Sequence, residues 1–305
     1  MAIRKISTER YSYVFSPYEQ PIATVRPGEV VTIVCEDAFV SAIRSETDRP
    51  TTALTFPYVN PQTGPIVVEG ARKGDTLVVE ILDIELTRDW VASILMPYFG
   101  GLTGTADTAM LNEPLPERVF IYPVRDGHVE MPRGVRVPIA PFVGTIATAP
   151  EIEAIWAGGL GNFGGNLDVP DTCAGNTVRL PVRVDGAYFY TGDVHAAQGD
   201  GELCGSACEV TANVTLRFGI EAGRTIGWPR IESATELMTV GCSRPLEDAA
   251  RIAWVELIKW LEADYGFDRW EAYQLLTQAG RMRLGNMVDP KYSMVAKIEK
   301  RYLPA

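Results

Sequence analysis

Cysteine and histidine are scarce, and their scarcity limits the chemistry available. The 305 residues hold five cysteines and two histidines. The cysteines, at 35, 173, 204, 208 and 242, are odd in number and scattered, which speaks against a disulfide framework and for a reducing cytoplasm. Cys204 and Cys208 are spaced C-x-x-x-C, yet no second cysteine pair and no nearby second histidine completes a structural zinc site, so buried small thiols are the simpler reading. Positive charge is also short: 28 lysines and arginines face 39 aspartates and glutamates, a formal charge of −11. With no basic patch to neutralise phosphates, nucleic acid is excluded as a partner. No apolar run approaches the roughly 20 residues that span a bilayer, so no membrane association is expected. The opening MAIRKISTERYSYVF lacks an apolar core and a cleavage site and is not expected to be a signal peptide. No phosphate-loop or dinucleotide glycine motif follows a strand; the pair Gly100-Gly101, in the small-residue run 97–115, is too weak a signal to revive nucleotide binding.

What is present is β-rich. A turn at Pro27-Gly28 leads into a strand over Glu29–Glu36 with apolar residues on both faces, as expected of a strand between two layers. Residues 44–65 read as a long polar loop, of the kind that is usually functional or mobile. Thr76–Leu86 alternates as a long strand, and Arg125-Asp126-Gly127 marks a hairpin turn, with His128 beside it a surface or packing histidine. The three prolines within 137–150 argue for a buried irregular segment, and 152–157 for a short helical turn. Val210–Phe218 and Ile231–Val240 read as strands. After Pro245 the period changes: Leu246, Ala249, Ala253, Leu257 and Leu261 mark one helical face, and Asp268-Arg269-Trp270-Glu271 fits a capping box before a second helix. The class is mostly β with an α+β C-terminal part ending in a helical pair, divided as 1–150, 151–240 and 241–305, the parts intertwined rather than independent.

The densest chemistry lies in 164–209. On a strand, Asp193 and His195 emerge on one face and can hold a divalent metal or act as a base with its orienter. The plain alternative is a mutual pair that steadies a turn. Around them, the glycines of Gln198-Gly199-Asp200-Gly201-Glu202 let backbone approach a ligand, and crowded acids are costly unless a cation neutralises them. Further ligands are available in Asp168, Glu202, Glu209 and Asp37, and nitrogen with oxygen donors suits zinc. Two nucleophile readings are open as well: Cys204 with His195 as base, and Ser206, though Gly205-Ser206-Ala207-Cys208 lacks the G-x-S-x-G elbow.

These residues carry a family resemblance. The segments NPQTGPIVVEGARKGDTLVVEIL (60–82), VPIAPFVGTIATAP (137–150), GGNLDVPDTCAGNTVRLPV (164–182), GAYFYTGDVHAAQGDGELCGSACE (186–209) and EAYQLLTQAGRMRLGNMVD (271–289) resemble the acetamidase/formamidase family. The resemblance implies hydrolysis of small aliphatic amides, with lactams or other cyclic amides as the variant substrates. It implies a sandwich or jelly-roll-like β region intertwined with a second, barrel-like β region, and a homodimer or higher oligomer. It implies zinc or calcium at an acidic site made of Asn166, Asp168, Asp193, His195, Gln198, Asp200, Glu202 and Glu209. One departure stands out: the first 59 residues hold neither histidine nor tryptophan, which relatives often place there. The expected roles are a divalent cation, zinc first and calcium second, on Asp193, His195, Asp168, Glu209, Asp37 and Asp200; a proton carrier in Glu202; and an oxyanion donor in Asn166 or Gln198. The rival of another class is a non-catalytic β-sandwich binding protein with a structural calcium.

Overall fold

In the computed structural model, which describes residues 3–103 and 113–304, the alternation of Thr76–Leu86 produces the longest strand. The part of the small-residue run at 104–112 lies outside the described residues. Among the described residues, a nine-stranded sheet runs in the order Arg4–Ile6, Val30–Cys35, Ala212–Glu221, Thr76–Leu86, Thr177–Pro181, Arg230–Glu232, Glu236–Ser243, Tyr292–Glu299, Arg281–Leu284. A six-stranded sheet follows Leu160–Gly161, Gly164–Asn166, Phe142–Ala147, Phe189–His195, Gln62–Val68, Ala23–Val25. One apolar core joins the two: Val31, Leu77, Val79 and Leu216 of the first meet Ile66, Val143, Ile146 and Val194 of the second. Phe189 and Phe218 meet edge to face across the layers with centroids 5.1 Å apart. A four-stranded sheet, Val135–Pro138, His128–Met131, Arg118–Arg125 and Trp90–Leu95, completes the mostly β class.

The helices Leu246–Tyr265 and Arg269–Ala279 form the expected C-terminal pair. The capping box at Asp268 is present: its carboxylate accepts from Trp270 N and Glu271 N, and the Glu271 carboxylate accepts from Asp268 N at 3.0 Å. The first helix packs on Glu236–Ser243, where Gly241 is obligatory: an added Cβ would lie 2.1 Å from Ala249 O. Its buried face also carries Glu256, held by Arg230 at 2.7 Å.

Several local expectations are corrected. The segment 152–157 is not helical; Ile155–Trp156 is a strand pairing with Val14–Phe15, because that distant partner supplies the ladder. The prolines of 137–150 stop short of Phe142–Ala147, which is a fully buried central strand. Residues 231–240 form two strands rather than one, broken by a turn in which Ser233 Oγ accepts from Thr235 N and Glu236 N. The polar loop of 44–65 contains a helical turn, Pro50–Ala53, and gives way to strand at Gln62.

Candidate active site

The six-stranded sheet assembles the site by register. In the strand Phe142–Ala147, Phe142 pairs with His195, and Thr145 pairs with Gly192 on one side and Asn166 on the other. Asp168 follows Asn166 and Asp193 follows Gly192, so two distant segments converge across one central strand. Gly144 permits this approach: a Cβ there would sit 2.7 Å from both Asp168 Oδ1 and Asp193 Oδ2. Short bridges add the rest. His195 and Ala92 each bridge Glu209, and Gly201 bridges Asn286, which brings Glu202 and Asp289 alongside.

The turns at the site are strained. Asp168, Asp193 and Glu202 have φ of 49°, 57° and 48°, in the left-handed region that non-glycine residues rarely adopt. The strand Phe189–His195 leaves the extended conformation at Asp193. Even so, the Asp193 carboxylate reaches His195, with Oδ1 3.3 Å from Nε2, and Glu209 Oε2 lies at the same 3.3 Å. Both contacts are within ion-pair reach, and neither is a formed hydrogen bond.

Two overlapping sets of ligand atoms each lie within 4.8 Å of one another: Asp168, Asp193 and His195, and His195, Glu202 and Glu209. All five residues are buried. Three of their atoms, Asp168 Oδ1, His195 Nε2 and Glu209 Oε2, are buried with no hydrogen-bond partner. Orphaned polar atoms in an interior are costly, and three of them within two ligand sets that share His195 make the arrangement a good fit for a cation. The imidazole is prepared for it. Gln198 Nε2 donates to Asp168 O and Gly285 O, which fixes its amide, so its Oε1 can only accept from His195 Nδ1, at 2.9 Å. The neutral ring therefore carries its proton on Nδ1 and its lone pair on Nε2, toward the acids.

Burial, first among the causes, pushes the carboxyls of Asp168 and Glu202 well above the ordinary carboxylate range, raises Glu209, and lifts Asp289 to about 7. For His195 burial works the other way, but the Glu209 and Asp193 carboxylates outweigh it and hold the ring well above its ordinary value. The cluster thus calls for positive charge at Nε2, from a proton or from a metal ion.

Two expected ligands are not brought to the cluster. Asp37 is buried, but its carboxylate accepts from Phe39 N and Ser41 N and pairs with Arg88 Nη1 at 2.6 Å. Arg88 in turn donates to Glu209 O, so Asp37 stands one residue behind the cluster. Asp200 is half exposed and pairs with Arg283 at 2.9 Å. The expected oxyanion donors are also engaged. Asn166 Nδ2 donates to Asp168 Oδ2 and Asp289 Oδ2, both at 2.9 Å, and Gln198 is bound as above. Asp289, Asn60 and Asn286 were not singled out by sequence reasoning; Asp289 closes the recognised run 271–289, and that position was the one signal available for it. The Ser206 hydroxyl is occupied, accepting from Ile94 N and donating to Ile94 O. Cys204 Sγ donates to Ser206 O at 3.1 Å, while both nitrogens of His195 face other groups.

A cavity of about 90 Å³ opens over the acids. Asp193, Glu202, Glu209 and Asp289 line its polar side; Phe39, Leu54, Val59, Ile94, Met96 and Trp156 are among its apolar walls. It is several-fold smaller than the roughly 300–1,000 Å³ pockets that hold drug-sized ligands.

The sequence profile of the Acetamidase/Formamidase family matches residues 9–157 and 160–236. A crystal structure of an acetamidase from Yersinia enterocolitica is 44% identical, with a TM-score of 0.94 over 97% of this chain and 90% of that one. An acetamidase structure from Bacillus halodurans is 34% identical, with a TM-score of 0.90 over 98% of each chain. Among curated proteins, a putative formamidase of Schizosaccharomyces pombe is 28% identical over 260 residues, 65% of this chain. The chain spans about 60% of the length of the curated relatives it matches. A gamma lactamase from Delftia acidovorans, at 20% identity and a TM-score of 0.62, shares the fold.

Proposed function

Because the chain belongs to the acetamidase/formamidase family, we propose that it hydrolyses small aliphatic amides to the carboxylate and ammonia at the Asp193–His195 cluster. The observation that carries this reading is a cluster with three unpartnered buried ligand atoms, on Asp168, His195 and Glu209, behind a cavity sized for a few heavy atoms whose polar side Asp193, Glu202, Glu209 and Asp289 line. Asp168, Asp193, His195 and Glu209 are the residues that would hold a divalent cation. One nitrogen with several oxygens suits zinc, and the surplus of carboxylates is compatible with calcium. Such an ion supplies polarisation of the amide carbonyl and a lowered pKa for water.

The remaining steps belong to side chains. An amide resists attack because resonance weakens its carbonyl and its nitrogen leaves poorly. Glu202, buried and with its carboxyl pushed upward, takes the proton of the attacking water and returns it to the departing nitrogen. Gln198 keeps the His195 ring in one tautomer, and Asn166 orients Asp168 and Asp289; with their N–H groups engaged, neither amide serves as the oxyanion donor. The apolar wall takes the acyl group and keeps bulk water from the acids.

Ammonia release from formamide, acetamide, propionamide and a small lactam tests the proposal. Turnover that is greatest on the shortest linear amides, lost on chelation and restored by zinc, is expected. Absence of release from all four, together with thermal stabilisation by calcium, would favour the non-catalytic binding protein instead.

A further inference from the structure

Behind the carboxylates lies a row of buried carboxamides that all point one way. Gln62 Nε2 donates to Asn60 Oδ1 at 2.7 Å, Asn60 Nδ2 donates to Asn166 Oδ1 at 2.6 Å, and Asn166 Nδ2 donates to Asp168 Oδ2 and Asp289 Oδ2. The Thr145 hydroxyl also donates to Asn166 Oδ1. A carboxamide has a donor end and an acceptor end, whereas an ionised carboxylate only accepts. Once ionised, as they must be to hold a cation, the acids require the donor end of Asn166. Its acceptor end must then meet a donor, which Asn60 supplies, and Asn60 in turn takes its own hydrogen bond from Gln62. The mismatch is displaced to the far end of the row, where Gln62 Oε1 is buried without a partner. Asn60 has φ of 57°, a conformation asparagine tolerates better than most residues.

We propose that Asn60 is a positioning residue: its amide locks Asn166 with both N–H groups toward Asp168 and Asp289, so that Asp168 Oδ1 is left as the oxygen free for a cation. The inference concerns the direction of the amide row and does not depend on the reaction proposed above.

Asn60→Asp keeps the shape but removes the donor. Asn166 must then turn its amide toward residue 60, and its oxygen faces Asp168 and Asp289. Asp289→Asn restores a donor for that reversed oxygen, whereas Asp193→Asn makes the same carboxyl-to-amide change at an acid to which Asn166 does not hydrogen-bond. The melting temperatures of the chelator-treated single and double variants are compared as two cycles. The expected result is a fall of several degrees in Asn60→Asp, largely recovered in Asn60→Asp/Asp289→Asn and not in Asn60→Asp/Asp193→Asn. Equal recovery in both doubles would reduce the effect to charge repulsion and overturn the proposal, as would additivity in both. If Asn60→Asp does not fold, folding of the Asp289 double alone is the expected outcome; failure of both doubles, where the single Asp289 and Asp193 variants fold, overturns it.

Discussion

Glu202 is held at φ 48°, which costs a glutamate on the order of 1 kcal/mol or more and persists only where the surroundings enforce it. The backbone bonds Glu202 N to Gly199 O and Gly205 N to Glu202 O clasp its main chain, and the residue lines the cavity. Glu202→Gln keeps the shape and removes the proton carrier. It is expected to lower kcat at least about a hundredfold, with KM little changed, in steady-state assays with formamide; near wild-type turnover would remove Glu202 from that role. Gly144→Ala places a methyl group against Asp168 Oδ1 and Asp193 Oδ2. Because that methyl group also meets the Asp193 backbone oxygen at 2.7 Å, the variant is expected to lower the melting temperature of the apo protein and to abolish stabilisation by zinc in thermal-shift titrations. At the cavity wall, Met96→Ala makes room for a longer acyl chain. The kcat/KM ratio of butyramide to acetamide is expected to rise about tenfold, the size of effect that one or two methylenes carry in an apolar pocket.

At the scale of elements, most of what could be read locally is what local chemistry determines. The bounds of Thr76–Leu86 and the capping box at Asp268 follow from alternation and from short-range hydrogen bonds, and both are legible in the sequence. Asp268→Ala removes the acceptor for two helix N–H groups and is expected to cost about 1 kcal/mol in urea unfolding, with amide turnover unchanged. The segment 152–157 fails the same treatment, because its strand exists only through Val14–Phe15, about 140 residues away. The Asp193–His195 pair shows the limit from the other side. Two-residue spacing brings them together in sequence, yet the kink at Asp193 means their meeting depends on neighbours as well as on strand alternation.

For the whole molecule, the buried cluster couples folding to pH. The carboxyls of Asp168, Glu202 and Asp289 and the ring of His195 all bind protons more tightly when folded than when unfolded. Unfolding therefore releases protons. This part of the stability is present at acidic pH and is lost as pH rises from the ordinary carboxylate range near 4 through about 7, where Asp289 titrates. Chelator-treated protein is expected to melt lower at about pH 8 than at about pH 5.5. Zinc is expected to raise the melting temperature more at the higher value, because the ligands must lose their protons to bind it.

The amino-acid sequence by itself determined the mostly β class, the helical pair and the two pieces, 164–168 and 192–202, that carry most of the candidate site, since alternation, caps and residue chemistry are local properties. Tertiary structure decided which acids belong together. Asp37 is withdrawn by Arg88 and Asp200 by Arg283, while Asp289, marked in the sequence only by closing the run 271–289, is drawn in by Asn166. The physical reason is that a carboxylate's role depends on which partner first satisfies it, and those partners lie dozens of residues or more away along the chain.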